Sequence, residues 1–263
     1  MDAQSPSLAD LIGRIPYRMA LAGGWIDQPF VSRHNPDPPG SMVVVSLAPV
    51  FRFMDRSGMA TSTRKVATRL WGASLPESDP QALVRQLYEA ENLGKPEPSG
   101  AQDMAGLILP GVSRLDFDAG FEEGYFPARI ESCRDPRIAR WIEEVFYLIP
   151  VNQRPPGYNP LEVKNLDPAW VRRLGQSGRD CYAALLAMDL RALGESLNEC
   201  MRCWEAILPG TVRHPTLSID LLGLLQHYQG RYPGAMYSGC GGGYLFVVSE
   251  EPVEGGFRVK VRL

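Results

Sequence analysis

Four short stretches of this chain bring together residue types that handle phosphate and protons. In Arg18-Met-Ala-Leu-Ala-Gly-Gly24-Trp-Ile-Asp27-Gln-Pro29, an extended run delivers an arginine and an aspartate to either side of a Gly-Gly turn. In Ser57-Gly58-Met-Ala60-Thr61-Ser62-Thr63, small hydroxyl-bearing residues lead into a helical pattern. Such a helix start presents free backbone N–H groups and a positive dipole end, which favour phosphate. Its hydroxyl oxygens also suit Mg²⁺. In Glu89-Ala-Glu91-Asn92, followed by Pro98-Ser99-Gly100-Ala-Gln102-Asp103, a carboxylate near one helix end is separated by a Gly/Pro loop from an aspartate at the next helix start. One such carboxylate can hold a metal while the other accepts a proton. In Ser238-Gly239-Cys240-Gly241-Gly242-Gly243-Tyr244, four glycines in five residues let backbone approach a ligand closely. Each stretch alone also has an ordinary reading as a cap, a solvated helix face or a hairpin turn.

The elements that must position these residues are legible in outline. Residues 15–23 read as a short strand, and 41–55 as one or two buried strands rich in β-branched residues. Apolar residues recur at helical spacing over 61–73. Asp79-Pro80 opens a second helix as N-cap and first helical residue. A third helix begins within 99–109, and Arg114-Leu-Asp-Phe-Asp118 reads as a strand. Beyond residue 131 come a helix, a strand ending near 151, an Arg/Pro/Gly-rich stretch at 152–160, two long helices across 168–207 and a helix around 216–229. The C-terminus, 244–263, reads as a β-hairpin around a Gly-Gly turn. Strands and helices mix without strict alternation, so the fold class expected is α+β, with a boundary near residue 130.

Taken in order, the four stretches resemble the motifs of the galactokinase, homoserine kinase, mevalonate kinase and phosphomevalonate kinase (GHMP) superfamily, over most of the chain. RMALAGGWIDQP is similar to the first motif as found in sugar and heptose-phosphate kinases. SGMATSTRKVATRL is similar to a worn phosphate loop and its helix. YEAEN with PSGAQDMAG is similar to the metal-binding Glu and the catalytic Asp. YSGCGGGYLFVV is similar to the third motif. The resemblance implies a two-domain fold: an N-terminal phosphate-loop domain (1–130) and a ferredoxin-like C-terminal domain (131–263) carrying the Gly-rich hairpin. It implies Asp103 as the base toward an acceptor hydroxyl and Arg18 beside it, stabilising the transferring phosphoryl group. Gly58, Ala60, Thr61, Ser62 and Thr63, with Gly239, Gly241 and Gly242, would hold the phosphates of ATP. Ser62 and Glu91 would hold Mg²⁺. Gly24, Asp27, Gln102 and Ser238 would bind the substrate, a sugar or sugar phosphate.

Two departures accompany the resemblance. Ala60 stands where the phosphate loop normally has glycine, and Arg64-Lys65 follow it, placed to add phosphate charge or to face solvent. Only about thirty residues separate Asp27 from Gly58, far fewer than the family spends there, which implies a shortened pocket for the nucleotide base. The leading reading is therefore a small-molecule kinase acting on a sugar. The alternatives are a kinase-fold protein that binds a sugar or sugar phosphate without transfer, and another chemistry on the scaffold, such as ATP-linked decarboxylation or a non-ATP donor. A sheet edge left open by the shortened segment would favour a homodimer.

Composition bounds the rest. Of 263 residues, 44% are hydrophobic and 22% charged, which excludes a disordered chain. Twenty-six glycines and 23 prolines predict many turns. A net charge of −3 gives no general pull toward nucleic acid or anionic membrane. No apolar run is long enough to span a membrane, and the N-terminus is too polar for a signal peptide. Five cysteines, an odd and sparse set, suggest reduced thiols in a cytoplasm. Cys200-Met-Arg-Cys203 has CxxC spacing but no second pair, so helix-core cysteines are expected there. His34, His214 and His227 form no ligand spacing; His34 alone lies near the Asp27 motif. Arg154 and Tyr158, in the stretch 152–160, could reach a ligand, but a solvated loop is the expectation.

Overall fold

Three Asp-Pro dipeptides start three helices. The Asp79, Asp135 and Asp167 carboxylates accept N–H groups of the first turn, and the proline that follows each needs no hydrogen-bond partner at its position. Asp189 and Asp220 cap two more helices in the same way. The helices longer than one turn, in a computed structural model that describes residues 12–96 and 98–263, are α1 (Thr61–Trp71), α2 (Pro80–Asn92), α3 (Gln102–Ile108), α4 (Pro136–Val145), α5 (Pro168–Ala187), α6 (Leu190–Ile207) and α7 (Leu221–Arg231). Residues 1–11, most of the stretch read above for a signal peptide, lie outside the described residues.

The strands form two antiparallel sheets. The first runs β1 (Tyr17–Ala20), β2 (Gly40–Leu47), β3 (Val112–Phe117), β4 (Arg129–Cys133) in spatial as in chain order. The second has β7 (Gly242–Val248) between β5 (Phe146–Pro150) and β6 (Gly234–Gly239). Helix α5 packs across β2, α6 packs on β6, and α3 packs beneath β1 and β2, so both halves feed one buried cluster. Of the one or two strands expected over 41–55, only β2 forms. The remainder, 48–57, is a loop leading to the phosphate-type helix start. Strand β4 carries no clear signal in the sequence, and β6 shows only as a strand edge before the Gly-rich loop. β4 is half exposed and charged, and β6 carries Gly at both ends, so neither shows strong alternation.

The C-terminal hairpin expected over 244–263 does not form. All seven residues of β7 are buried, and such a strand takes partners on both sides: β5 on one, β6 on the other, with the Gly-rich turn joining β6 to β7. The tail instead ties the two sheets together through isolated bridges, Leu148 with Phe257 and Leu47 with Val261. Arg262 reinforces this by donating to Ser46 Oγ at 3.0 Å and to the Ile108 carbonyl. The open sheet edge expected from the shortened segment is also absent, because β1 is buried along its length. The exposed edge is β4, where Arg129 and Glu131 stand. Within the described residues no helix is long and apolar enough to cross a membrane.

Candidate active site

Arg18 reaches from β1 to the centre of the molecule and is only 4% exposed. Its Nε and Nη2 donate to one carboxylate oxygen of Asp103, Oδ1, at 3.0 and 2.5 Å, and its Nη1 donates to the Gly58 carbonyl at 2.6 Å. One guanidinium thus fixes both the first-turn aspartate of α3 and the loop that precedes α1. The second Asp103 oxygen, Oδ2, accepts from Thr63 Oγ1 at 3.3 Å. This oxygen keeps acceptor capacity, because a carboxylate oxygen offers two lone-pair directions.

These groups form the floor of a cavity of about 340 Å³. One wall is the start of α1. Unlike the Asp-capped helices, α1 has Ala60 at its N-cap with no side-chain hydrogen bond and no acidic residue in its first turn. Its first N–H groups are left for a ligand. Ser238 and Gly239, packed on Gly58, line the same cavity. Ser238 Oγ donates to the Ser57 carbonyl at 2.6 Å and accepts from Tyr244 N at 2.9 Å, joining the Gly-rich hairpin to the phosphate-type loop. Gly243 has φ +92, and a Cβ there would run into the Ser57 carbonyl oxygen, so the contact of the two loops requires glycine.

Of the residues singled out in the sequence, Arg18, Gly24, Gly58, Ala60, Thr61, Ser62, Gln102, Asp103, Ser238 and Gly239 line this cavity. Thr63 is fully buried beneath it. Gly241 and Gly242 lie behind the hairpin: Asn152 Nδ2 donates to the Gly241 carbonyl at 3.1 Å, and Asn152 Oδ1 packs where a Gly242 side chain would be. Asp27 is not brought to the wall. It is 0% exposed, packed so closely on Gly100 that a Cβ there would collide with it, and its Oδ1 has no hydrogen-bond partner among the described residues. Burial, and then the nearby charge of Asp103, push its carboxyl up to about 7. As folded here, Asp27 offers no surface to a substrate.

Glu91 lines an open groove with Ser62 and Lys65. Burial raises its carboxyl above the ordinary value. Its Oε2 is buried without a hydrogen-bond partner, and Lys95 lies 3.6 Å from its Oε1. An orphaned carboxylate oxygen in a groove also lined by a serine hydroxyl fits a hard divalent ion that takes its other ligands from phosphate and water. No group of three or more His, Cys, Asp or Glu with metal-binding geometry occurs among the described residues.

Ala60 adopts φ +56, ψ +30, the left-handed region that glycine visits freely. The conformation normally served by glycine is therefore kept, with strain. Ala60→Gly is expected to raise stability by about 0.5–1 kcal/mol, read as a higher denaturant midpoint. A lower midpoint would mean that packing of the buried methyl outweighs the strain. Arg64 does not point at phosphate. It donates to the Ile12, Gly13 and Ile15 carbonyls and stacks over the Tyr17 ring, anchoring the segment before β1. Lys65 pairs with Asp55 at the surface.

Trp25, Trp204 and Arg56 also line the cavity, and the sequence singled out none of them. Trp25 sits at φ +80 in the Gly-Gly-Trp turn, a rare conformation for a bulky residue. Its ring meets Phe30 and Trp204 edge-on, and Trp204 Nε1 donates to the Gly24 carbonyl at 3.0 Å. Together they make the aromatic end of the cavity. Arg56 and Arg154 also line the cavity. The 152–160 stretch is not a free solvated loop: Arg154 N donates to the Arg56 carbonyl at 3.2 Å and Tyr158 OH to the Gly210 carbonyl at 2.8 Å. The signal available was an Arg/Tyr-bearing loop, but what it lies on is a tertiary fact. Cys200 and Cys203 are buried in α6, as expected, and Cys200 Sγ accepts from Gly23 N.

The fold built from these two sheets and their helices is shared with solved structures of small-molecule kinases and of a diphosphate decarboxylase. The mevalonate kinase of Methanococcus jannaschii matches with a TM-score of 0.59 over 95% of this chain and 98% of that one, at 10% identity. A D-glycero-D-manno-heptose 1-phosphate kinase from Bacteriodes thetaiotaomicron matches with a TM-score of 0.56 over 94% and 95%, at 12% identity. The mevalonate diphosphate decarboxylase of Staphylococcus aureus matches with a TM-score of 0.54 over 95% and 96%, at 10% identity. No family model and no curated protein sequence matches. At these identities the likeness is one of fold, and the function must come from the site.

Proposed function

We propose that this protein is a phosphotransferase that moves the γ-phosphoryl group of ATP onto a hydroxyl of a sugar or sugar phosphate. The observation that carries the reading is the Arg18–Asp103 pair on the floor of a cavity walled by an uncapped helix start. Phosphoryl transfer asks a protein mainly for positioning and positive charge. Asp103 Oδ2, the oxygen not taken by Arg18, accepts the proton of the attacking hydroxyl. Arg18 keeps that carboxylate oriented and sets its own charge beside the transferring group. N–H groups at the start of α1 hold the donor phosphates. Gln102 and the Trp25–Trp204 end orient the acceptor. Ser62 and Glu91 are the residues that would hold Mg²⁺, which when bound neutralises phosphate charge.

The test is calorimetric titration with Mg·ATP, followed by a turnover screen of free and phosphorylated hexoses and heptoses, each run beside Asp103→Ala. Saturable Mg-dependent binding and turnover lost in the variant support the reading. A second reading, binding without transfer, is favoured by the strained Ala60 and the short 28–57 segment. It predicts that a sugar phosphate raises the melting temperature while no nucleotide binds.

A further inference from the structure

Outside all four motifs, the cavity carries two more guanidiniums. We propose that Arg154, with Arg56, forms a second phosphate clamp on the wall of the cavity, delivered by the 152–160 strap. This deepens the phosphotransferase reading and rests on it only for the source of the phosphate. The charged residues on the cavity wall are Arg18, Arg56, Arg154 and Asp103, three cations against one anion. Arg18 already answers Asp103. The remaining two positive charges face the cavity, which matches a dianion such as a phosphate group.

The geometry of Arg154 singles it out. Its guanidinium lies against Gly239, where a Cβ would run into Nη2, and Gly239 in turn packs on Gly58. The charge is therefore set directly over the junction of the two glycine loops. Nε is shielded from solvent and has no hydrogen-bond partner among the described residues. A shielded guanidinium N–H without a partner is costly unless a ligand supplies one.

The strap is held while the side chain is not. Asn152 bonds the Gly-rich hairpin through Gly241 and Gly243, Arg154 N bonds Arg56, Arg56 Nη2 bonds the Pro155 carbonyl at 2.8 Å, and Tyr158 bonds Gly210. Backbone pinned on four sides with an uncommitted guanidinium is a preorganised donor, and arginine's planar fork suits two phosphate oxygens at once. The phosphate has two possible sources, the donor's polyphosphate tail or a phosphate borne by the acceptor.

Calorimetry on the full chain separates them. Inorganic tripolyphosphate stands for the donor tail, and glucose 1-phosphate and glucose 6-phosphate stand for a phosphorylated acceptor, with free glucose as control. Arg154→Gln is expected to weaken tripolyphosphate or the sugar phosphates about ten- to a hundredfold, with an unchanged melting temperature and no change for glucose. Arg154→Lys is expected to recover only part of the loss, because an ammonium cannot make the forked contact. The class of probe that weakens names the source. Wild-type affinity for every phosphate probe in Arg154→Gln overturns the clamp, and so does the failure of every phosphate probe to bind the wild-type chain. Phosphate binding that depends on Arg154 in a protein that turns over no sugar would leave the clamp standing and sink the phosphotransferase reading instead.

Discussion

Asp103→Asn is expected to lower phosphoryl-transfer turnover by about 10²–10⁴-fold, the range contributed by a positioned general base. The amide keeps the shape and one acceptor oxygen for Arg18, so substrate and nucleotide affinities are expected to stay within a few-fold of wild type. Turnover should fall far more than affinity, because proton transfer belongs to the transition state. A variant that retains turnover within about tenfold would show that Asp103 is not the base. The same pair has a structural consequence. Arg18 is 4% exposed, whereas the Asp103 side chain keeps 24% of its surface. Asp103→Ala strands the guanidinium in the interior and is expected to cost about 3 kcal/mol, the low end for breaking a buried pair because water still reaches one side. Removing both charges, in Arg18→Met with Asp103→Ala, is expected to cost less than the two single changes together. Strict additivity in chemical denaturation would mean that the pair is not coupled.

The second large effect concerns Asp27 and pH. Its carboxyl is raised from 3.8 to about 7, first by burial and then by the charge of Asp103. Below pH 3.8 both folded and unfolded chains hold this proton, and the group has no influence. Between those values the folded protein keeps a proton that the unfolded chain has released, so stability falls as pH rises. Above about 7 the loss is complete. At about 1.4 kcal/mol per pH unit, it amounts to roughly 4 kcal/mol. Asp27→Asn removes the charge at every pH. The variant is expected to gain on wild type steadily from pH 4 to 7 and to hold that gain at pH 8, measured as denaturant midpoints at each pH. Parallel profiles for the two proteins would mean that Asp27 is not a strained buried acid. The group also bears on the site, because an ionised Asp27 sets a second negative charge behind Asp103.

What the sequence determined by itself is local and repetitive. Asp-Pro starts fix helix beginnings because a carboxylate and a missing N–H both suit the first turn, whatever the helix later packs against. The hydroxyl-rich start of α1, the Gly-rich hairpin, and Arg18 and Asp103 as chemistry-bearing positions were legible for the same reason: backbone freedom and charge are carried by the residue. The class of fold was legible through the order of those motifs. Tertiary structure decided everything that depends on a partner. An apolar run such as 244–248 says that a strand is buried but not which strands cover it, and β5 and β6 took the places assigned to the tail. Asp27 and Asp103 are both turn or first-turn aspartates in the sequence. Only packing on Gly100 sealed the first from solvent while Arg18 held the second at the cavity floor. Arg154 reads as a loop arginine until the 152–160 strap is laid over the glycine hairpin. A charge acquires its role from the dielectric and the neighbours around it, and those come from residues far away in the chain.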